Sequence, residues 1–100
     1  MSTYKRIASL ATGLHILEYL AQQREPAPAA AIAAAVEAPL GTVLCHLATL
    51  EDRRFARRLG EGWELGMALA AAWARKKSLL EGQRMQLDRE LADLAITGEG

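Results

Sequence analysis

Ile7, Leu10, Leu14, Leu17 and Ala21 recur at three- and four-residue steps, the spacing that gathers side chains onto one stripe of an α-helix. The pattern predicts a first helix ending near Gln23. Glu25-Pro26-Ala27-Pro28 interrupts it, because proline lacks a backbone donor and disfavours helix in its predecessor, while Pro28 suits the first turn of a new helix. A short second helix is expected from Ala29 to about Val36. Its alanines are strong helix formers that let neighbouring helices approach closely, with Ile32 and Val36 supplying apolar contacts. After Glu37-Ala38-Pro39 a third helix is predicted from about Leu40 to Arg53, with Val43, His46, Leu47 and Leu50 on one face. Two short helices joined by a tight turn form a helix-turn-helix unit.

Beyond the third helix the period changes. Phe55-Ala56-Arg57-Arg58-Leu59 alternates, Gly60-Glu61-Gly62 signals a turn, and Trp63-Glu64-Leu65 alternates again before Gly66, which predicts a small β-hairpin. A last helix is expected from near Met67 to about Ala95. Trp73, Leu80, Leu87 and Leu94 stand at heptad spacing along it, reinforced by Leu69 and Leu91, and this stripe would lie exposed in a monomer. Lys76, Gln83 and Glu90 occupy the places of a second apolar set, so a full coiled coil does not follow, and Gly98-Glu99-Gly100 should fray. The fold class is therefore mainly α: a winged helix-turn-helix of three helices plus a hairpin wing over 1–66, and a long C-terminal helix for dimerisation over 67–100.

A chain of 100 residues has room for one core and no separate catalytic module. Hydrophobic residues at 51% and charged residues at 24% describe a globular chain rather than a disordered one. Twelve basic and twelve acidic residues cancel to zero net charge. Nucleic-acid binding must then rest on a local patch, since no global basic excess draws phosphate. The single cysteine, Cys45, cannot form an internal disulfide, which makes the cytoplasm the default compartment. Lys5 and Arg6 ahead of Ile7 to Leu20 imitate a signal peptide, but His15 and Glu18 interrupt the apolar run. Leu65 to Ala74 is stopped by Arg75-Lys76-Lys77 well short of the ~20 residues of a membrane span, so no membrane role is expected.

No catalytic grouping emerges. Neither a serine–histidine–carboxylate set nor a nucleotide loop is present in recognisable form, and Gly60-Glu61-Gly62 precedes a strand rather than a helix, as turn chemistry requires. His15, His46 and Cys45 lack the spacing of a zinc site, so neither metal nor cofactor is expected. Cys45 reads as a small apolar surface residue, and Arg75-Lys76-Lys77 as the solvent face of the last helix.

The stretch Ile32 through Gly66 resembles the DNA-binding domain of the IclR family of bacterial transcription regulators. The matching words are Pro39, Thr42-Val43, Leu47-Ala48-Thr49-Leu50-Glu51, Phe55, Arg57-Arg58 and Gly60-Glu61-Gly62-Trp63-Glu64-Leu65-Gly66. The resemblance implies a winged helix fold, a recognition helix around Leu40 to Leu50, dimerisation, and control of transcription at an operator. The family's large effector domain has no counterpart in these residues. Where the family offers polar or basic residues to DNA, the outward face here is Leu40, Gly41, Leu44, Cys45 and Ala48, with only Thr42 and Thr49 able to hydrogen-bond. Arg, Lys, Asn and Gln, the side chains whose geometry reads base edges, are missing until the helix ends. His46 stands where the family prefers an apolar residue, and Glu37 in a turn that usually holds glycine.

Two functions remain open. In the first, the chain binds double-stranded DNA as a homodimer: Arg53, Arg54, Arg57 and Arg58 contact phosphates, Thr42 and Thr49 position the helix, and Leu40 or Leu44 packs on thymine methyls. In the second, it is an inhibitor or adaptor that docks a protein partner through the apolar outward face of the third helix.

Overall fold

The structure, a computed structural model, describes residues 3–98. The element order is α1 (Ala8–Ala21), α2 (Ala29–Val36), α3 (Leu40–Asp52), β1 (Ala56–Leu59), β2 (Gly62–Leu65) and α4 (Met67–Gly98). The chain divides into two compact units, Met1–Leu69 and Ala70–Gly100, so the first three residues of α4 belong to the first unit.

The first unit is a winged helix. Its core is Ile16 and Leu20 from α1, Ala27 from the following loop, Ile32 and Ala33 from α2, Val43 and Leu47 from α3, and Ala56 and Trp63 from the hairpin. Ile16, Ile32, Val43 and Leu47 have no exposed surface, and burial of each stabilises the fold by ~1.5–3 kcal/mol. α2 and α3 meet at 109°, within the range of a helix-turn-helix. The turn between them depends on Glu37, whose φ of 55° and ψ of 47° are left-handed. That conformation ends α2 and aims the Ala38 amide back at the Ala33 carbonyl (3.1 Å), closing the helix end in the manner usual for a glycine. Pro39, extended at φ −61° and ψ 146°, then starts α3.

In the hairpin, Ala56 faces Leu65, Arg57 faces Glu64, Arg58 faces Trp63 and Leu59 faces Gly62. Gly62 is thus a strand residue, not part of the turn, and the turn rests on Gly60, with φ of +62°. Trp63 pairs on its other side with Ala27 through two hydrogen bonds of 2.8 and 2.9 Å, which ties the Pro26–Pro28 loop to the sheet and buries the indole. At Gly66 the chain passes so close to the α3–β1 turn that a Cβ would lie 2.1 Å from the Arg54 carbonyl oxygen. Only glycine fits there.

The stripe expected on α1 does not form the packed face. Ile7, Leu10 and Leu14 are exposed, Ala21 also, and Leu17 is half-buried, whereas Gly13, Ile16 and Leu20 face inward. The two stripes lie about a third of a turn apart at ~3.6 residues per turn. α1 is apolar over both, and the inner one is the face that packs on α2, α3 and the hairpin, with Gly13 beside the His46 ring. On α3 and α2 the expected residues do face the core, with His46, Leu50 and Val36 half-buried at its margin.

The second unit is the remainder of α4, helical to Gly98 and so longer than the expected end near Ala95. Gly98, the first of the residues expected to fray, stands in the helix; Glu99 and Gly100 lie outside the described residues. Every side chain described from Ala70 to Ile96 is exposed.

Candidate nucleic-acid interface

Burial of Val43 and Leu47 fixes which way α3 is turned, and its outer arc follows from that. Gly41, Leu44, Cys45 and Ala48 lie on this arc, with Leu40, Thr42 and Thr49 at its borders, and all seven are exposed. Leu40 and Leu44 keep 48% and 44% of their surface open. The hydrogen-bonding capacity of the arc is lower than its composition suggests. Thr49 donates its hydroxyl to the Cys45 carbonyl at 3.0 Å, the backward bond typical of threonine inside a helix, which leaves Thr42 as the hydroxyl turned to solvent without a partner.

His46 points the other way. Its Nδ1 lies 2.8 Å from the Thr42 carbonyl oxygen and its Nε2 3.0 Å from the Ser9 carbonyl oxygen, so the ring bridges α3 to α1. A carbonyl can only accept, and a neutral imidazole donates from one nitrogen alone, so the tautomer decides which of the two carbonyls receives the hydrogen bond. With Ser9, Leu10, Gly13, Cys45, Thr49 and Leu50 the ring lines a shallow apolar groove between the two helices. This role was missed in the sequence; the only signal was a polar residue on the buried face of a helix, where an unbonded ring would be costly.

The four arginines expected at phosphates are all exposed, but they differ in setting. Arg53 ends α3, and Arg54 follows it in a left-handed turn, φ 63°, with its carbonyl accepting the Ala68 amide at 3.1 Å. Arg57 and Arg58 are neighbours on β1 and so point to opposite faces of the hairpin. Arg57 donates from Nε to Glu64 on the facing strand, and Arg58 lies over the Trp63 ring at 4.9 Å. The first contact offsets part of the positive charge at the wing, while the second holds Arg58 flat against the indole. At the wing tip Leu59 and Glu61 are exposed.

On α4, Trp73, Leu80, Leu87, Leu91 and Leu94 are between 51% and 67% exposed, and Lys77 lies over the Trp73 ring at 5.2 Å. Leu69, expected in the same set, falls within the first unit and is half-buried. Among the described residues no cluster of histidine, cysteine and carboxylate side chains could hold a metal ion. No single helix among them is long and apolar enough to cross a membrane; α2 and α3 together pass on length and composition, as a bent pair whose apolar residues form the core described above.

Similarity to known proteins agrees with this geometry. No curated protein matches the chain. Among solved structures the chain is similar to the crystal structure of Pseudomonas aeruginosa HmgR, with a TM-score of 0.60 and 27% identity. The match covers 68% of this chain and 29% of that one, so the chain corresponds to less than a third of HmgR's length. The IclR helix-turn-helix domain matches residues 9–60, from the first turns of α1 to the tip of the wing. With half of its length in that match and the three helices and hairpin in place, the chain belongs to the IclR helix-turn-helix family.

Proposed function

We propose that the chain is a transcriptional regulator of the cytoplasm, not an enzyme, that binds double-stranded DNA as a two-fold homodimer with α3 in the major groove and the hairpin beside it. The observation that carries this reading is the family match over residues 9–60, on a fold that leaves the outer arc of α3 open. Arg53, Arg54, Arg57 and Arg58 contact phosphates, with Thr42 and the amino-terminal turn of α3 setting the register. Trp73, Leu80, Leu87, Leu91 and Leu94, continued by Leu69, form the dimerisation stripe, and covering each large side chain contributes ~1.5–3 kcal/mol. A two-fold dimer reads two half-sites.

One observation favours a second reading. The exposed arc of α3 carries no cation and two leucines, which suits docking of a protein partner as well as it suits a groove. Binding to genomic DNA fragments at two salt concentrations separates the two. For a DNA binder, affinity falls steeply with salt, and replacing Arg57 and Arg58 by alanine flattens the slope by about 0.9 per lost phosphate contact. The single substitutions tell which face of the hairpin meets the backbone. Absence of any DNA shift at low salt, with a protein partner captured by the wild type and lost in Leu44→Asp, would establish the docking reading instead.

A further inference from the structure

Of the side chains through which recognition helices usually read base edges, α3 keeps only the Thr42 hydroxyl free, at the border of its outer arc; the others are missing or already engaged. Arg, Lys, Asn and Gln do not occur between Leu40 and Asp52. Both ring nitrogens of His46 are turned inward to the carbonyls of Thr42 and Ser9, and the Thr49 hydroxyl is bonded to Cys45. Glu51 and Asp52 can accept from cytosine, but they stand at the carboxyl end of the helix, whereas the residues near the amino end meet the bases. What α3 offers the groove is an apolar arc: Leu44, with Gly41, Cys45 and Ala48 too small to hold the helix away from the base pairs. Thymine is the one standard base that presents an apolar group there, its C5 methyl.

Resting on the DNA-binding reading above, we propose that the chain recognises its half-site through pyrimidine C5 methyl groups, with Leu44 as the specificity-determining contact. Thymine is then read as a methyl-bearing pyrimidine rather than by its hydrogen-bonding edge. Leucine cannot distinguish the thymine carbonyl from the cytosine amine, so 5-methylcytosine satisfies the same contact. Unmethylated cytosine and uracil do not. Recognition of this kind selects thymine-containing half-sites and leaves orientation to the phosphate contacts and to groove shape.

The test begins with duplexes selected from a random pool by the full chain. Each thymine of the best site is replaced in turn by uracil, and separately by cytosine or 5-methylcytosine opposite guanine, with binding followed by fluorescence anisotropy at one salt concentration. At a contacted position, uracil and cytosine should each weaken binding about fourfold, the equivalent of one buried methyl group, while 5-methylcytosine restores it. Leu44→Ala should bind the methylated and unmethylated forms alike; Leu44 is 44% exposed and lies outside the buried core, so this variant folds. Equal wild-type affinity for thymine and uracil at every position, or full discrimination retained by Leu44→Ala, would overturn the proposal and leave the DNA-binding reading intact. Failure to retain any duplex at low salt would overturn both.

Discussion

α3 and α4 carry apolar stripes of the same helical kind, yet Val43 and Leu47 of α3 are fully buried while Trp73, Leu80, Leu87 and Leu94 of α4 are all more than half exposed. The difference lies in what the rest of the chain supplies. Around α3, apolar residues come from α1, α2 and both strands, and a single core closes over them. Among the described residues the second unit has no other element to close over α4. An amphipathic pattern thus identifies which side of a helix is apolar; it does not identify the cover. For α3 the cover is intramolecular. For α4 the proposed cover is a second copy, in which one heptad stripe would meet another.

The contrast can be broken at its strongest point first. Leu47→Ala, in the closed core, should cost about 2–5 kcal/mol of unfolding free energy by urea titration, and Leu87→Ala at a concentration too low for association should cost under about 1 kcal/mol. Equal losses at the two sites would mean that α4 is covered within the monomer. Leu87→Asp should weaken self-association by more than about 100-fold in sedimentation equilibrium, since two leucines leave the interface and two carboxylates enter it. A wild-type chain that sediments as a monomer at high micromolar concentration would remove α4 as a dimer element.

Smaller changes sharpen the picture inside the first unit. His46→Leu keeps an apolar filling beside Gly13 but removes the ring's hydrogen bonding to the Thr42 and Ser9 carbonyls, and should cost about 0.5–1.5 kcal/mol. A variant more stable than wild type would show that the bridge between α1 and α3 contributes nothing beyond packing. At Glu37, glycine adopts the left-handed turn without a Cβ penalty, and Glu37→Gly should raise stability by about 0.5–1 kcal/mol in thermal unfolding. An unchanged or lowered melting temperature would indicate that the turn is not strained.

Much of the first unit was legible because its signals are local. Pro28 and Pro39 mark helix starts, Pro26 the break after α1, and the change from helical to alternating spacing marks the hairpin, while Val43, Leu47 and Leu50 make the larger of the two apolar faces of α3. α1 was less legible. Leu10, Leu14 and Leu17 make a better stripe than Gly13, Ile16 and Leu20, because glycine has no hydropathy signal, although Gly13 is buried beside the His46 ring. Likewise Arg57 and Arg58 read as a pair of cations, although the hairpin register assigns one to Glu64 and the other to Trp63.

The amino-acid sequence by itself determined the number, order and kind of the elements, the turn chemistry between them and the family to which they belong, because propensity, capping and periodicity act over a few residues. Only the tertiary structure decided which of two apolar faces of α1 is covered, that His46 bridges two helices instead of facing a ligand, and that the outer arc of α3 has one free hydroxyl. Those outcomes depend on contacts between residues far apart in the chain, where burial and hydrogen-bond satisfaction are settled by geometry that no local pattern contains.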